Sequence, residues 1–195
     1  MSIGRPQEFN YDEVLDRATE TFWILGYDGT SMVDLLSKTG LSKSSLYQTF
    51  GGKAELFQKC LENYTRFMSK SLLNELKKYE SGKDFIEYVL ISSTKEANSK
   101  TKPRGCFIMN TATEFSKRDS AILGYVENGI SEFRRIFILA LAKSQMNGEI
   151  DKHLDLEEVS FYIISVMTGL RTLIKGGMKE AEALTTIKLA MTCIK

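Results

Sequence analysis

The spacing of apolar residues along the chain predicts helices almost throughout. After Asn10, which can serve as an N-cap, an apolar stripe recurs at three- and four-residue intervals and predicts a first helix that ends at Gly26. The residues of this stripe, which we expect to be buried, are Tyr11, Val14, Leu15, Ala18, Phe22 and Leu25.

Two short helices are predicted next, joined by a tight turn. Ser31 and Asp34 have the spacing of a capping box, so a second helix begins at this point and ends at Gly40. Ser42 is placed to cap a third helix, which the paired glycines after Phe50 end. Three helices in this order, with a turn between the last two, form a helix-turn-helix.

The rest of the chain continues the helical pattern and contains no convincing run of strands. Its predicted helices span about 53–79, 83–98, 106–116, 119–146, 155–175 and 180–194. The fold class expected is therefore all-α, with about nine helices. We expect two domains: a helix-turn-helix domain over 1–52, preceded by an N-terminal arm, and a helical ligand-binding and dimerisation domain over 53–195.

Composition narrows the class of protein further. Of the 195 residues 43% are hydrophobic, enough for a substantial core, and no apolar run is long enough to cross a membrane. The N-terminus has no apolar signal region, and three widely spaced cysteines suit reduced thiols, so we expect a cytoplasmic protein. The net charge of +1 is not that of a nonspecific nucleic-acid binder.

Charge within the helix-turn-helix is nevertheless favourable for DNA. Acidic residues outnumber basic ones over the first 60 residues, but between Asp34 and Glu55 the charged side chains are three lysines, Lys38, Lys43 and Lys53. Since DNA contact depends on the field over the docked face, this basic window supports the interpretation.

The third helix has the composition of a recognition helix. Small polar residues on its outer face allow close approach to a major groove about 12 Å wide, while Leu46 and Phe50 anchor its inner face. Gln48 can pair with adenine, and Lys43 can reach guanine or a phosphate. The DNA-binding residues predicted here are Thr30, Ser31, Ser42, Lys43, Ser44, Ser45, Tyr47, Gln48 and Lys53. Alternatively, Tyr47 is half core and Lys43 is simply solvated.

Residues 22–57 resemble the DNA-binding domain of the TetR family of bacterial transcription regulators. The matching features include G-Y-D-G-T-S at 26–31, T-G-L-S-K-S-S-L-Y at 39–47, and K-A-E-L at 53–56. The resemblance implies a helical C-terminal domain that binds a small effector and forms a two-fold dimer. Thr49 departs from the family, which often has a phosphate-contacting histidine there, so that contact is expected to be weaker or absent.

The N-terminal arm carries Gly4-Arg5-Pro6, in which proline holds the backbone extended beside an arginine. Such an arm can insert Arg5 into the minor groove of A·T-rich DNA. The alternative is a disordered tail. The resemblance favours contact, because family members often carry G-R-P at this location.

A dimer interface is predicted on the last two helices. Residues 161–175 are apolar on all sides of the helix, which indicates burial against a partner chain as well as against their own domain. With the last helix they would form a four-helix bundle across a two-fold axis. The predicted dimerisation residues are Ile163, Val166, Leu170, Leu173, Ile174, Leu184, Ile187 and Met191.

An effector site is predicted among the middle helices, for an apolar, aromatic or electrophilic small molecule. Arg171, a charge within an apolar helix, can pair with an anionic group of the effector or with an internal acid such as Glu114. The candidate lining residues are Phe67, Phe85, Cys106, Phe107, Met109, Phe133, Phe137, Tyr162, Met167 and Arg171. Aromatic and methionine side chains at helical spacing are also ordinary core residues, and any one of these can have that role instead.

Cys106 is the most distinctive single residue of this set. Lys102 and Arg104 precede it, and it opens a predicted helix; cations and a helix N-terminus both favour the thiolate. We therefore consider that Cys106 senses electrophiles or oxidants, with simple packing as the alternative. A single histidine, His153, and scattered cysteines give no metal site, and no cofactor is predicted.

Two other functional classes agree less well with the sequence. An enzyme is disfavoured because the sequence has no P-loop, G-x-S-x-G or H-E-x-x-H motif. A helical protein-binding adaptor would have no use for a capped, serine-rich helix in a basic window. The expected partners are double-stranded operator DNA, a second copy of the chain and a small effector, with no membrane; operator, target genes, effector and sign of regulation are left open.

Overall fold

The computed structural model describes residues 9–98, 102–116 and 119–195, and these contain nine α-helices and no strand. The predicted all-α class is confirmed. The helices are α1 (Tyr11–Gly29), α2 (Met32–Thr39), α3 (Lys43–Phe50), α4 (Lys53–Leu76), α5 (Gly82–Thr94), α6 (Phe107–Phe115), α7 (Ser120–Met146), α8 (Leu156–Lys175) and α9 (Glu180–Thr192). A short 3₁₀ helix, Lys95–Asn98, follows α5 where the sequence predicted one continuous helix.

The chain forms two compact units, which we call the N-terminal unit (Met1–Tyr64) and the C-terminal unit (Thr65–Lys195). The N-terminal unit extends beyond the boundary predicted at Lys53. The reason is that the first turns of α4 bury Leu56, Phe57 and Cys60 completely. The Cys60 thiol lies 4.0 Å from the carbonyl oxygen of Leu15, so this part of α4 packs on α1.

The core of the N-terminal unit is aromatic and aliphatic. Phe22 and Phe57 are fully buried, and their rings meet edge to face with centroids 4.9 Å apart. The predicted stripe on α1 is buried from Val14 to Phe22, but Tyr11 is 42% and Leu25 47% exposed. Tyr11 lies in the first turn and stacks on Phe50, and this contact covers only part of its ring.

A kink interrupts α1 near its end. Gly26 has φ 76° and ψ 173°, outside helical geometry, although the hydrogen-bonded helix continues to Gly29. Residues with a side chain rarely adopt this φ, so glycine is required at this position. The sequence predicted that the helix ends at Gly26; the chain does kink there, but the helix continues to Gly29.

In the C-terminal unit, α7 packs against α5, α6 and α8, and α5 also contacts α8 and α9. The start of α5 is pressed against α7: a Cβ added to Gly82 would lie 1.8 Å from the carbonyl oxygen of Ala140. The turn before α5 is tied to the end of α7, because the Ser81 hydroxyl donates to the Glu149 carboxylate at 2.7 Å. The Lys143 ammonium likewise donates to the carbonyl oxygen of Tyr79.

Within the described part of the chain, none of the helices combines the length and the apolar character that a membrane span needs. The same residues gather no group of three or more His, Cys, Asp or Glu side chains suited to a metal ion.

Candidate nucleic-acid interface

The start and the end of α2 are fixed by local hydrogen bonds. Ser31 and Asp34 form the predicted capping box: the Ser31 backbone N–H donates to the Asp34 carboxylate at 2.8 Å, and the Asp34 N–H donates to the Ser31 hydroxyl at 3.1 Å. Hydrogen bonds to its carboxylate from the Ser31 hydroxyl and, second, from the Ser31 backbone N–H hold the pKa of Asp34 below its ordinary value. Gly40 ends α2, and its N–H donates to the carbonyl oxygen of Leu36.

The recognition helix α3 is anchored on one side and open on the other. Leu46 is fully buried and Phe50 is 6% exposed, whereas Tyr47 is 48% exposed. The Ser42 hydroxyl accepts the Ser45 N–H at 3.1 Å and so caps the helix. The exposed residues of α3 and its cap are Ser42, Lys43, Ser44, Tyr47, Gln48 and Thr49, and Ser45 is half-buried.

The hydroxyl groups at the start of α3 are partly engaged with each other. The Ser42 oxygen lies 3.0 Å from that of Ser44 and 2.8 Å from that of Ser45. Lys43, Tyr47 and Gln48 have no such internal bond in the described part of the chain, so they are the side chains freest to reach a base edge or a phosphate.

Two of the residues predicted to contact DNA lie just before α2, and the structure shows that their hydroxyl groups are engaged within the protein. Thr30 is fully buried and its hydroxyl donates to the carbonyl oxygen of Gly26 at 2.6 Å. Its side chain is therefore removed from the candidate DNA contacts. The Ser31 hydroxyl donates to the Asp34 carboxylate at 2.6 Å, so Ser31 is exposed but committed to the helix cap.

Lys53 begins α4, where the free N–H groups of the first turn favour an anion. Its ammonium lies 4.3 Å from the centroid of the Tyr27 ring. The side chain of Glu55 folds back toward the same helix start. One of its carboxylate oxygens would lie 3.1 Å from a Cβ added to Gly52. Arg5 of the predicted arm lies outside the described residues.

Comparison with known proteins identifies the family to which this architecture belongs. Residues 14–60 match the profile of the bacterial regulatory proteins of the tetR family, and residues 88–186 match that of the tetracyclin repressor-like C-terminal domain. The HTH-type transcriptional repressor ComR of Escherichia coli (strain K12) is 30% identical, over 100% of this chain and 95% of its own length. The chain belongs to the TetR family.

Other relatives agree with this TetR assignment. The uncharacterized HTH-type transcriptional regulator YezE of Bacillus subtilis (strain 168) is 30% identical, over 76% of this chain and 77% of its own. A cysteine mutant of the TetR family regulator CifR, solved with 26 bp double-strand operator DNA, has a TM-score of 0.84 at 25% identity, covering 96% of this chain and 98% of its own. The chain is thus a DNA-binding regulator of transcription and not an enzyme.

The C-terminal unit of this TetR chain buries most of the predicted effector residues. Phe85, Phe107 and Phe137 are at most 2% exposed, and Cys106, Phe133 and Met167 at most 8%. Two of the predicted residues are not buried with the others, since Phe67 is 68% and Tyr162 37% exposed. Phe67 and Tyr162 each lie on the outer side of an amphipathic helix, which aromatic character alone does not reveal.

Arg171 and Met109 are half-buried beside the loop that precedes α6. The Arg171 guanidinium donates to the carbonyl oxygen of Gly105 at 3.4 Å, while its Nε is buried without a hydrogen-bond partner. Sequence reasoning missed Glu96, whose carboxylate accepts the N–H groups of Arg104 at 2.9 Å and Gly105 at 3.1 Å. This contact joins residues in different elements, and no local sequence motif predicts it.

The predicted dimerisation residues divide into two groups. Most lie in the interior of the chain itself, because α8 buries one face and not its whole circumference; these are Ile163, Leu170, Ile174, Ile187 and Met191, each at most 8% exposed. Val166 is half-buried. Leu173 and Leu184 are 55% and 40% exposed, and they share the open faces of α8 and α9 with Phe161, Tyr162 and Leu189.

The three cysteines are thiols in different surroundings. Burial raises the pKa of Cys60 to about 12, so this thiol is inert at neutral pH. Cys106 is the N-cap residue of α6, but its side chain makes no capping bond and it is 7% exposed. Cys193 is exposed. The pKa of Tyr162 is raised, mainly because its hydroxyl is partly buried and secondly because of a hydrogen bond with Cys193.

Proposed function

We propose that this TetR-family regulator is a repressor that binds a palindromic operator as a homodimer and releases it when a small effector binds the C-terminal unit. The observation that carries the proposal is the outer face of α3, which presents Lys43, Tyr47 and Gln48 while its apolar face is buried. ComR, a relative over nearly its full length, is named a repressor, and this supports the sign of regulation.

The contacts to DNA divide by chemistry. Gln48 is suited to bidentate pairing with adenine, and Lys43 to guanine or a phosphate. Tyr47 and Lys53 are suited to phosphates, which fix the position of the helix without reading sequence. In a two-fold dimer the two copies of α3 would need to enter successive major grooves about 34–36 Å apart, so the operator would be a near-palindrome.

Binding to DNA duplexes selected from a random-sequence pool tests these proposed DNA contacts. We expect Gln48→Ala to weaken the selected duplex about tenfold or more, since each bidentate pair contributes about 1–3 kcal/mol and the dimer contains two. Lys43→Ala should reduce the salt dependence of binding, because it removes a charge from the DNA-facing helix. Lys152→Ala, an exposed lysine of the C-terminal unit, is the matched control and should change neither quantity.

The outcome that contradicts the proposal is a chain that selects no duplex, or one whose binding is unchanged when Lys43, Tyr47 and Gln48 are replaced together by alanine. A reporter gene placed behind the selected duplex then gives the sign of regulation. Expression should fall when the wild-type chain is present, in the cytoplasm where we propose that it acts.

The dimer is proposed to form through the open faces of α8 and α9. Phe161, Leu173 and Leu189 are each more than half exposed in the single chain, and large apolar side chains in such numbers on one pair of helices mark an interaction surface. Two α8–α9 pairs would complete a four-helix bundle.

Sedimentation of single variants tests this interface. Leu189→Glu should shift the chain toward monomer without unfolding it, because it places a charge on an exposed apolar site. Leu139→Glu makes the same change at an exposed leucine of α7 and should leave the dimer intact. A monomeric wild-type chain, or equal effects of the two variants, would remove this interface.

The effector is proposed to be a small apolar or aromatic molecule, because the interior of the C-terminal unit is rich in Phe. The buried Nε of Arg171 favours an effector that also has an acceptor or an anionic group. Release by an electrophile through Cys106 is the alternative; its near-complete burial requires a local opening before reaction.

Release of the bound duplex separates these effector classes. A neutral aromatic, an aromatic carboxylate and iodoacetamide would each be titrated against the complex. Carboxylate-driven release should weaken in Arg171→Ala. Release by iodoacetamide that is lost in Cys106→Ser but kept in Cys193→Ser would establish the electrophile alternative, whereas no release by any of the three would contradict both.

A further inference from the structure

The segment that joins α1 to α2 fixes one aromatic ring beside the start of α4. Tyr27 follows the kink at Gly26, and its carbonyl oxygen accepts the Thr30 N–H at 3.2 Å. The Thr30 hydroxyl donates back to Gly26, and Thr30 is fully buried. The backbone around Tyr27 is therefore held from both sides.

The Tyr27 ring is equally constrained by its neighbours. It stacks on Phe22 with an interplanar angle of 13° and centroids 6.1 Å apart, and it meets Phe57 at 4.9 Å. Both partners are fully buried, so the ring rests on the core of the N-terminal unit. The ammonium of Lys53 lies over this ring, 4.3 Å from its centroid, which is within the range of a cation–π interaction.

Lys53 differs in this respect from the other lysines of the basic window. Lys38 and Lys43 are exposed, whereas Lys53 is half-buried and its side chain has a defined direction. In the portion of the chain that the structure describes, Lys53 forms no salt bridge, although the Glu55 carboxylate turns back toward the same helix start. An ammonium has three N–H donors, and a ring on one side leaves donors for an anion on the other.

We propose that Tyr27 is a positioning residue for phosphate binding: its ring holds the Lys53 ammonium at the start of α4 before DNA arrives. This inference rests on the proposed function, since it assigns Lys53 to a backbone phosphate of the operator. A free lysine loses most of its rotamer freedom when it is fixed on a ligand. The ring imposes part of that order in the unbound protein, and binding is stronger for it.

Stepwise fluorination of the ring isolates this electrostatic role from packing. Tyr27→Phe is the reference, and phenylalanines with one, two or three ring fluorines would be placed at the same position. Each fluorine weakens the negative face of the ring and changes its size little. We expect affinity for the selected duplex to fall with each fluorine, by about fivefold or more for three, because a dimer contains two copies of the contact. Melting temperatures should stay close to that of Tyr27→Phe.

A double-mutant cycle with Lys53→Gln gives the deciding comparison. In the Lys53→Gln background the same fluorinated rings should leave affinity unchanged, because the cation is gone. Lys53→Gln alone should lower the salt dependence of binding, while the ring variants keep it, since they retain the charge. Tyr27→Leu, which removes the ring, provides a second measurement of the coupling with Lys53.

Failure of the inference about Tyr27 can be distinguished from failure of the proposed function. If the wild-type chain binds a selected duplex but fluorination has no effect, or has the same effect with and without Lys53, then Tyr27 acts only through packing and the inference is overturned. If the wild-type chain selects no duplex at all, the proposed function itself fails, and the role of Tyr27 with it.

Discussion

The two units of this protein both have locally capped helices, and they differ in the polar contacts that join distant parts of the chain. In the N-terminal unit the helix starts are set by neighbours: Asn10 caps α1, Ser31 pairs with Asp34, and Ser42 caps α3. In the C-terminal unit Ser81, Asp119 and Asp155 cap their helices in the same way, but polar contacts between distant residues also tie the helix ends together, as when Ser81 donates to Glu149 and Lys143 to Tyr79. Local bonds specify a turn within a few residues, whereas long-range bonds exist only after the helices have packed.

This difference also fits the functions that we propose for the two units. A recognition helix has to keep its geometry whether or not DNA is present, and short-range caps provide that stability independently of the rest of the chain. An effector-responsive unit has to change its packing when a ligand binds, and contacts between distant elements are the ones that such a change can break.

The largest expected effect lies at a long-range contact. Gly82→Ala would place a methyl group 1.8 Å from the Ala140 carbonyl oxygen, so α5 and α7 must move apart. We expect a loss of about 3 kcal/mol or more in the free energy of unfolding of the C-terminal unit. Chemical denaturation followed by circular dichroism measures it.

Gly124→Ala is the control for that substitution. Gly124 is an exposed residue of α7, and a Cβ there would meet nothing within 4 Å. Since alanine is favoured over glycine in a helix by about 1 kcal/mol, the control should be neutral or stabilising. Equal destabilisation by the two variants would show that the close approach of α5 to α7 is not what limits Gly82.

The sequence predicted helix bounds in both units, including those of α7 and α8, but it predicted burial in the C-terminal unit less well. Capping boxes and helix-ending glycines act over three or four residues, so the bounds of α2 and α3 can be read directly from Ser31 and Ser42. Burial depends on which helix faces which. The sequence therefore assigned Phe67 to a pocket and Ile163 to a dimer surface, whereas Phe67 is exposed and Ile163 is 1% exposed within its own chain.

The role of Tyr27 also lay beyond sequence reasoning. The aromatic residue after Gly26 was part of the family pattern, but nothing in its spacing indicated an ammonium over its ring. That contact requires α1 and α4 to be packed, since Tyr27 and Lys53 lie on different helices. The same packing places α4 in the N-terminal unit as far as Tyr64, beyond the domain boundary that the sequence predicted at Lys53.

A smaller effect is expected at a local contact of the N-terminal unit. Ser31→Ala removes the hydroxyl that accepts the Asp34 N–H, and should lower the stability of this unit by about 1 kcal/mol. The fall in melting temperature of the unit measures it. Ser37→Ala, at an exposed serine of the same helix, is the control and should be neutral, because alanine favours the helix interior. A Ser31→Ala loss as large as that of Gly82→Ala would contradict the proposed difference between the units.

The smallest effect is a pH dependence of that same cap. Because hydrogen bonds from Ser31 lower the pKa of Asp34 in the folded chain, the carboxylate contributes stability above its unfolded pKa of about 4. That contribution is lost as the pH falls through the lowered folded value. The stability difference between wild type and Ser31→Ala should therefore shrink from pH 7 to pH 3. Ser42→Ala is the matched control, because among the described residues the Ser42 hydroxyl bonds to the Ser45 N–H and to serine hydroxyls and to no acid, so its cost should not change with pH. Melting curves of the three chains at both pH values decide the point, and a pH-independent Ser31→Ala cost would mean that the Asp34 carboxylate takes no part in holding the turn before α2.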